Sequence, residues 1–133
     1  GMEAIFRGMR VPKSMVSNGS IHHVENCLRK VRLLGALDGQ IFSAEQVNNP
    51  KPSPDVFLFA LEKLGLSAHE TLVVEDSVTG ISAAKSAGIQ VIGFLGATHI
   101  HDGHGQKLWE AGADFVVPDA RGLAQLLKKK EIF

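Results

Sequence analysis

The segment "LVVEDSVTG", Leu72–Gly80, runs an apolar stretch into two adjacent carboxylates, Glu75 and Asp76. Carboxylate oxygens completed by a few waters are what Mg2+ selects. Two further groups suit the same chemistry. Ser17 and Asn18, in "MVSNGS", offer a hydroxyl, an amide and backbone N–H groups beside a helix start, a set that can cradle an anion. Lys51, between Pro50 and Pro52, offers a cation on a stiff loop. Phosphate cradle, lysine and Mg2+ together are the recurring apparatus of phosphoryl transfer. Each feature also has a plainer reading. Ser17-Asn18-Gly19 is a common turn or helix cap, a lysine is commonly solvated, and Asp76 or Ser77 can cap the helix that follows. The chemistry depends on whether the fold gathers all three.

The surrounding elements predict that it does. Met2 to Arg10 can form a short helix that Pro12 ends. "SMVSNGS" reads as a short strand entering a polar turn. Ile21, Val24, Leu28 and Val31 have helical spacing up to about Leu34, and Gly35 can stop that helix. "QIFSAE" is a second strand, and the prolines of "NNPKPSPD" exclude regular structure there. Ser53 is expected to cap a helix with Pro54 at its first position, and Gly65 to end it. "TLVVE" reads as a third strand, apolar on both faces as a central parallel strand should be. A helix from about Val78 to Ala87 follows, with Gly80, Ala83, Ala84 and Ala87 as a small-residue face and Gly88 as its stop. "QVIGFLG" and "DFVVPD" give two more strands, with a short helix "KLWEAGA" between them and a terminal helix "RGLAQLLKKK". Alternating strands and helices predict an α/β fold, a mostly parallel sheet covered on both faces. Such sheets bind ligands at the carboxyl ends of their strands. Ser17-Asn18 and Glu75-Asp76 both lie at such ends.

Composition adds limits. The 133 residues, 44% hydrophobic and 21% charged, fit one domain. A formal net charge of zero gives no steering toward nucleic acid or an anionic membrane. No apolar run approaches the roughly 18 residues of a membrane span, and no signal peptide is visible, so a cytoplasmic protein is expected. Cys27, the single cysteine, excludes an internal disulfide and is expected to be a buried or half-buried thiol.

In order and spacing, "MVSNGS", "NPKPSPDVF" and "LVVEDSVTGISAAKSAG" resemble the second, third and fourth motifs of haloacid dehalogenase-like (HAD) phosphohydrolases. The phosphoglycolate phosphatase and β-phosphoglucomutase group is the most similar, and the tail from Val91 to Asp119 extends the likeness. The resemblance implies a three-layer Rossmann-like core. It also implies that Ser17 and Asn18 bind a phosphoryl group, that Lys51 stabilises that group and the nucleophile, and that Glu75 and Asp76 hold Mg2+ directly or through water. It further implies a small phosphorylated metabolite as substrate. A receiver domain shares an acidic pair and a Lys-Pro, but there the acidic pair comes first; here Lys51-Pro52 precedes Glu75-Asp76.

One part of the family pattern is missing. Its nucleophile lies in a DxD segment at the end of the first strand, and no DxD stands in this sequence. Asp38, Asp55, Asp114 and Asp119 belong to turns, a helix start or the flanks of the last strand. The chain is therefore expected to be a partial core over residues 1–133, lacking the nucleophile strand and the cap, and inactive alone. The alternatives are a non-catalytic phosphate- or Mg2+-binding module, an interaction protein that assembles with a missing N-terminal half, and a phosphosugar mutase. The missing central strand predicts either direct pairing of the Ser17 and Glu75 strands or a homodimer across the gap. His99, His101, Asp102 and His104 share one loop that could suggest Zn2+, but no second cluster completes four ligands. A substrate-side or surface role for His99 is the better expectation. Trp109 is expected to anchor its helix on the core, and His22 and His23 to be ordinary helix-face residues.

Overall fold

The computed structural model describes residues 2–9, 11–30, 41–96 and 102–130. Strands and helices alternate along it: α1 Met2–Gly8, β1 Met15–Ser17, α2 Ile21–Lys30, β2 Ile41–Ser43, α3 Asp55–Leu64, β3 Leu72–Glu75, α4 Val78–Ser86, β4 Gln90–Phe94, α5 His104–Glu110, β5 Phe115–Val117 and α6 Ala120–Lys129. Single 3-10 turns, Ala44–Gln46 and Ala68–Glu70, follow β2 and precede β3. The continuation of α2 toward Leu34, the Gly35 stop, Asp38, His99 and His101 lie outside the described residues.

Among the described residues all strand pairs are parallel, and they form two sheets. β1 pairs with β2, Ser17 level with Ser43. β3 pairs with β4, Glu75 level with Gly93, and β4 pairs with β5. β1 and β3 share no ladder. The expected direct pairing of these two strands is thus not made within the chain. β3 is an edge strand of its sheet, not a central one, and Val74 is 41% exposed. The apolar run of "TLVVE" identifies a strand but not its place in a sheet.

Successive side chains of a strand point to opposite faces, and β4 uses both. Val91 joins a core built with Val56, Phe57 and Ala60 of α3, Ile81, Ala83 and Ala84 of α4, and Leu108 of α5. Ile92 joins the opposite cluster, with Ile5 of α1, Val117 of β5, and Leu123 and Leu127 of α6. β2 divides in the same way: Phe42 faces the first core, while Ile41 packs with Val24 and Leu28 of α2. Helices therefore cover both faces, the three-layer arrangement that alternating elements predict. Gly93 lets α5 approach β4, since a Cβ there would lie 3.0 Å from Leu108 Cδ1.

Three local expectations need correction. α3 begins one residue later than its capping pattern suggests, with Pro54 at the cap position, although Ser53 Oγ still accepts from Asp55 N at 3.3 Å. α5 begins at His104, three residues before Lys107. Its inward residue is the fully buried Leu108, which leaves Trp109 49% exposed, because adjacent helical residues are turned about 100° apart. Cys27 is exposed for the same reason: the inward positions of α2 are Val24 and Leu28. His22 and His23 are exposed on α2 as expected. No helix among the described residues is long and apolar enough to cross a membrane.

Candidate active site

The carboxyl ends of β1 and β3 carry the residues singled out by type and spacing. At the end of β1, Ser17 Oγ accepts from Gly19 N at 3.0 Å. Asn18 Oδ1 accepts from Lys51 N at 2.9 Å, which fixes the Lys51 loop against this turn. Ser43, the buried end of β2, braces the turn from below through a hydrogen bond to Gly19 O. Glu45 Oε1 accepts from Ile21 N at 2.8 Å at the start of α2. Ser43 and Gln46 also form a reciprocal capping box. That pattern, a serine followed three residues on by glutamine, is visible in the sequence and marks the brace.

Lys51 connects the two sheets. Its Nζ donates to Val16 O at 3.1 Å on β1 and to Glu75 Oε1 at 2.5 Å at the end of β3. The ammonium also stands 5.1 Å from the ring centroid of Phe57 on α3. The Lys51 and Glu75 side chains are 8% and 12% exposed, so this pair is screened far less than a surface ion pair. The peptide between Lys51 and Pro52 is cis.

Glu75 uses both oxygens. Oε1 meets Lys51, while Oε2 accepts from Asp76 N at 3.0 Å, Ser77 N at 3.2 Å and Ser77 Oγ at 3.1 Å. Ser77 in turn caps α4 by accepting from Gly80 N at 3.1 Å. The hydroxyl thus donates to Glu75 and accepts from the helix, both of its capacities used. The carboxylate is seated on the first turn of α4, where only a glycine leaves room: a Cβ on Gly80 would lie 2.0 Å from Glu75 Cδ. Asp76 adds a second carboxylate on the same loop, and Asp76 O is met by His104 Nε2 at 2.7 Å.

The fold therefore places Lys51 in contact with the Glu75 loop, and Lys51 N in contact with Asn18. Sequence reasoning read Ser77 as a possible cap of the following helix, as found, but did not place Phe57, Gly80 or His104 at the site. Gly80 is visible only as one of several small residues, and His104 only as one of several loop histidines. Among the described residues no three His, Cys, Asp or Glu side chains gather into a closed metal cage. The hard oxygens of Asp76 and Glu75 fit a Mg2+ ion that keeps several waters, the usual form of such sites. They do not fit a soft metal.

Comparison with known proteins agrees with the α/β fold. The family profile described as haloacid dehalogenase-like hydrolase matches residues 7–94. A phosphorylated carbohydrates phosphatase of Thermotoga maritima is 42% identical over 87 residues, 65% of this chain and 38% of that protein. A 6-phosphogluconate phosphatase of Escherichia coli is 25% identical over 99 residues, 74% of this chain and 45% of that protein. Among solved structures, a haloacid dehalogenase-like protein of unknown function from Agrobacterium tumefaciens superposes with a TM-score of 0.91 at 34% identity, covering 98% of this chain and 60% of that one. A HAD family hydrolase from Deinococcus radiodurans with bound phosphate and sodium gives a TM-score of 0.84 at 30% identity, covering 96% and 56%. The chain spans less than half the length of these two curated relatives. On the family profile, the α/β fold and the two parallel sheets, this chain belongs to the haloacid dehalogenase-like hydrolases.

Proposed function

We propose that residues 1–133 are a partial core domain carrying the phosphate- and Mg2+-binding side of a phosphomonoesterase site, one that takes a small phosphorylated metabolite in the cytoplasm. The carrying observation is Lys51, a nearly buried ammonium held between Val16 O and Glu75. Two of its three N–H donors have these partners, and the third serves a phosphoryl oxygen. Ser17 Oγ and the Asn18 turn bind the same group from the β1 side. Asp76 supplies the direct metal oxygen, and Glu75, whose oxygens already serve Lys51 and the loop, acts on the ion through water. Bound Mg2+ supplies a Lewis acid that offsets charge repulsion at the phosphoryl group. The relatives' names, phosphatases for phosphorylated carbohydrates and 6-phosphogluconate, support the substrate class.

The sequence holds no DxD. We therefore assign the chain binding without turnover, the nucleophilic carboxylate reaching the site from another strand or polypeptide. The test has two arms. Inorganic phosphate titrated with Mg2+ should shift the amide signals of Ser17, Asn18 and Lys51, and Lys51→Ala should abolish the shifts. The chain should leave p-nitrophenyl phosphate unhydrolysed above a buffer blank. Absence of phosphate-dependent shifts in the wild type refutes the binding role, and turnover lost in Glu75→Ala refutes the non-catalytic assignment.

A second reading concerns assembly. β1 and β3, each at the end of its sheet, share no ladder, and unpaired strand edges recruit other chains. We infer a homodimer formed across these edges. Light scattering should give twice the chain mass, and a monomer at high concentration contradicts it.

A further inference from the structure

His104 lies outside the set of phosphate and metal residues, yet it touches the loop that carries both acids. Its Nε2 is 2.7 Å from Asp76 O. A carbonyl oxygen can only accept, so Nε2 bears the proton in this contact. The ring is brought there by the packing of α5. Gly103, at φ 83°, turns the chain into α5, and His104 is its first residue. One turn further on the same face, Leu108 is fully buried against Gly93 and the main core. Residues four apart lie one above the other on a helix, so the buried Leu108 aims His104 at the acid loop.

We propose that His104 is a positioning residue for the Asp76 carboxylate, an inference that rests on the metal role proposed above. The loop from Glu75 to Ser77 is held from within by the three hydrogen bonds to Glu75 Oε2 and by the Ser77 cap. Those bonds fix Glu75 and the amides of Asp76 and Ser77. The His104 contact to Asp76 O reaches the loop backbone from another element, α5. It is a second hold on the Asp76–Ser77 peptide, whose N–H already meets Glu75 Oε2, and it acts at the carbonyl end, next to the Cα from which the Asp76 side chain leaves the loop. α5 is thus coupled to the metal side of the site through one imidazole.

The test uses the 133-residue chain, Mn2+ as the metal probe, and the variants His104→Ala and His104→Gln. Glutamine keeps an N–H donor near the Nε2 position. In the wild type, imidazole nitrogen shifts should report a proton on Nε2. In His104→Ala, amide exchange at Asp76 and Ser77 should accelerate roughly three- to tenfold, the size of one hydrogen bond, while amides of Ala83 and Leu123 stay unchanged. Mn2+ affinity should fall by a similar factor, and His104→Gln should recover most of both effects. A ring proton on Nδ1 alone overturns the proposal without any variant, so a misfolded His104→Ala does not protect it. Unchanged exchange at Asp76 and Ser77 in a folded His104→Ala overturns it as well. If the wild type takes up no Mn2+ while the exchange effect appears, the metal reading fails and the positioning of the loop stands. If the wild type binds Mn2+ and His104→Ala binds it equally, the positioning role fails and the metal reading stands.

Discussion

The carboxylate of Glu75 occupies the space that a side chain on Gly80 would need, with a Cβ there falling 2.0 to 2.4 Å from its Cδ and oxygens. Strand end and helix start thus share one volume.

Gly80→Ala tests this with a change of sign. Alanine is preferred over glycine inside a helix by about 1 kcal/mol, so an isolated helix would gain. Here the new Cβ expels Glu75 from Lys51 and Ser77, and we expect a net loss of about 2 kcal/mol. In a Glu75→Ala background the obstacle is gone, and the same substitution should stabilise. Urea denaturation of the four proteins decides it; a stabilising Gly80→Ala in the wild-type background contradicts the shared volume.

The Lys51–Glu75 pair predicts strong coupling. Lys51→Met or Glu75→Gln alone leaves a buried charge without its partner, at a cost of roughly 3 kcal/mol. The double variant should lose clearly less than the sum, by about 1–3 kcal/mol for residues in direct contact. Additive losses in a denaturation cycle mean that the pair contributes nothing in solution.

Metal binding by the chain should be weak. The proposed arrangement, one carboxylate direct and one through water, would leave most of the coordination shell to solvent, and we expect a Mg2+ dissociation constant on the order of millimolar. Asp76→Asn should remove the binding. Calorimetry giving micromolar affinity, or an unaffected Asp76→Asn, shows that the ion sits elsewhere.

Asp114 predicts a pH dependence remote from the site. Burial alone would raise its pKa. The hydrogen bond from Val91 N at 2.8 Å, the Lys85 ammonium at 3.1 Å and the more distant Lys130 outweigh that, and hold it below the ordinary value of 3.8. The unfolded chain then binds a proton at higher pH than the folded one. The stabilisation is complete above the ordinary value and is lost as pH falls below it toward the depressed one. Melting temperatures should fall more steeply below about pH 4 in the wild type than in Asp114→Asn. Parallel curves remove Asp114 from the acid response.

The helices and strands were legible because their signals are local. Val24 and Leu28 repeat at helical spacing, and Gly65 stops α3 at φ 68° as its position predicts. The gathering of Lys51 with Glu75 followed from their places at the carboxyl ends of parallel strands, although those strands belong to two sheets. What the sequence could not carry is direction. Nothing local tells that Glu75 turns back onto α4, that Leu108 and not Trp109 faces inward, or that β3 is an edge. Each of these depends on residues far away in the chain, and His104 was read as one of a loop's histidines because its neighbours Gly103 and Gly105 hide the start of α5.

The division into a two-stranded and a three-stranded sheet also bears on how the chain holds together. α3, which touches β1, β2 and α4, and the Lys51 strut join them, and the main core runs through both, since Phe42 of β2 packs in the same cluster as Val91 of β4. An anion that takes the third N–H of Lys51 leaves its bonds to Val16 and Glu75 in place. Occupancy of the site then adds a third anchor to the residue that ties the two sheets together.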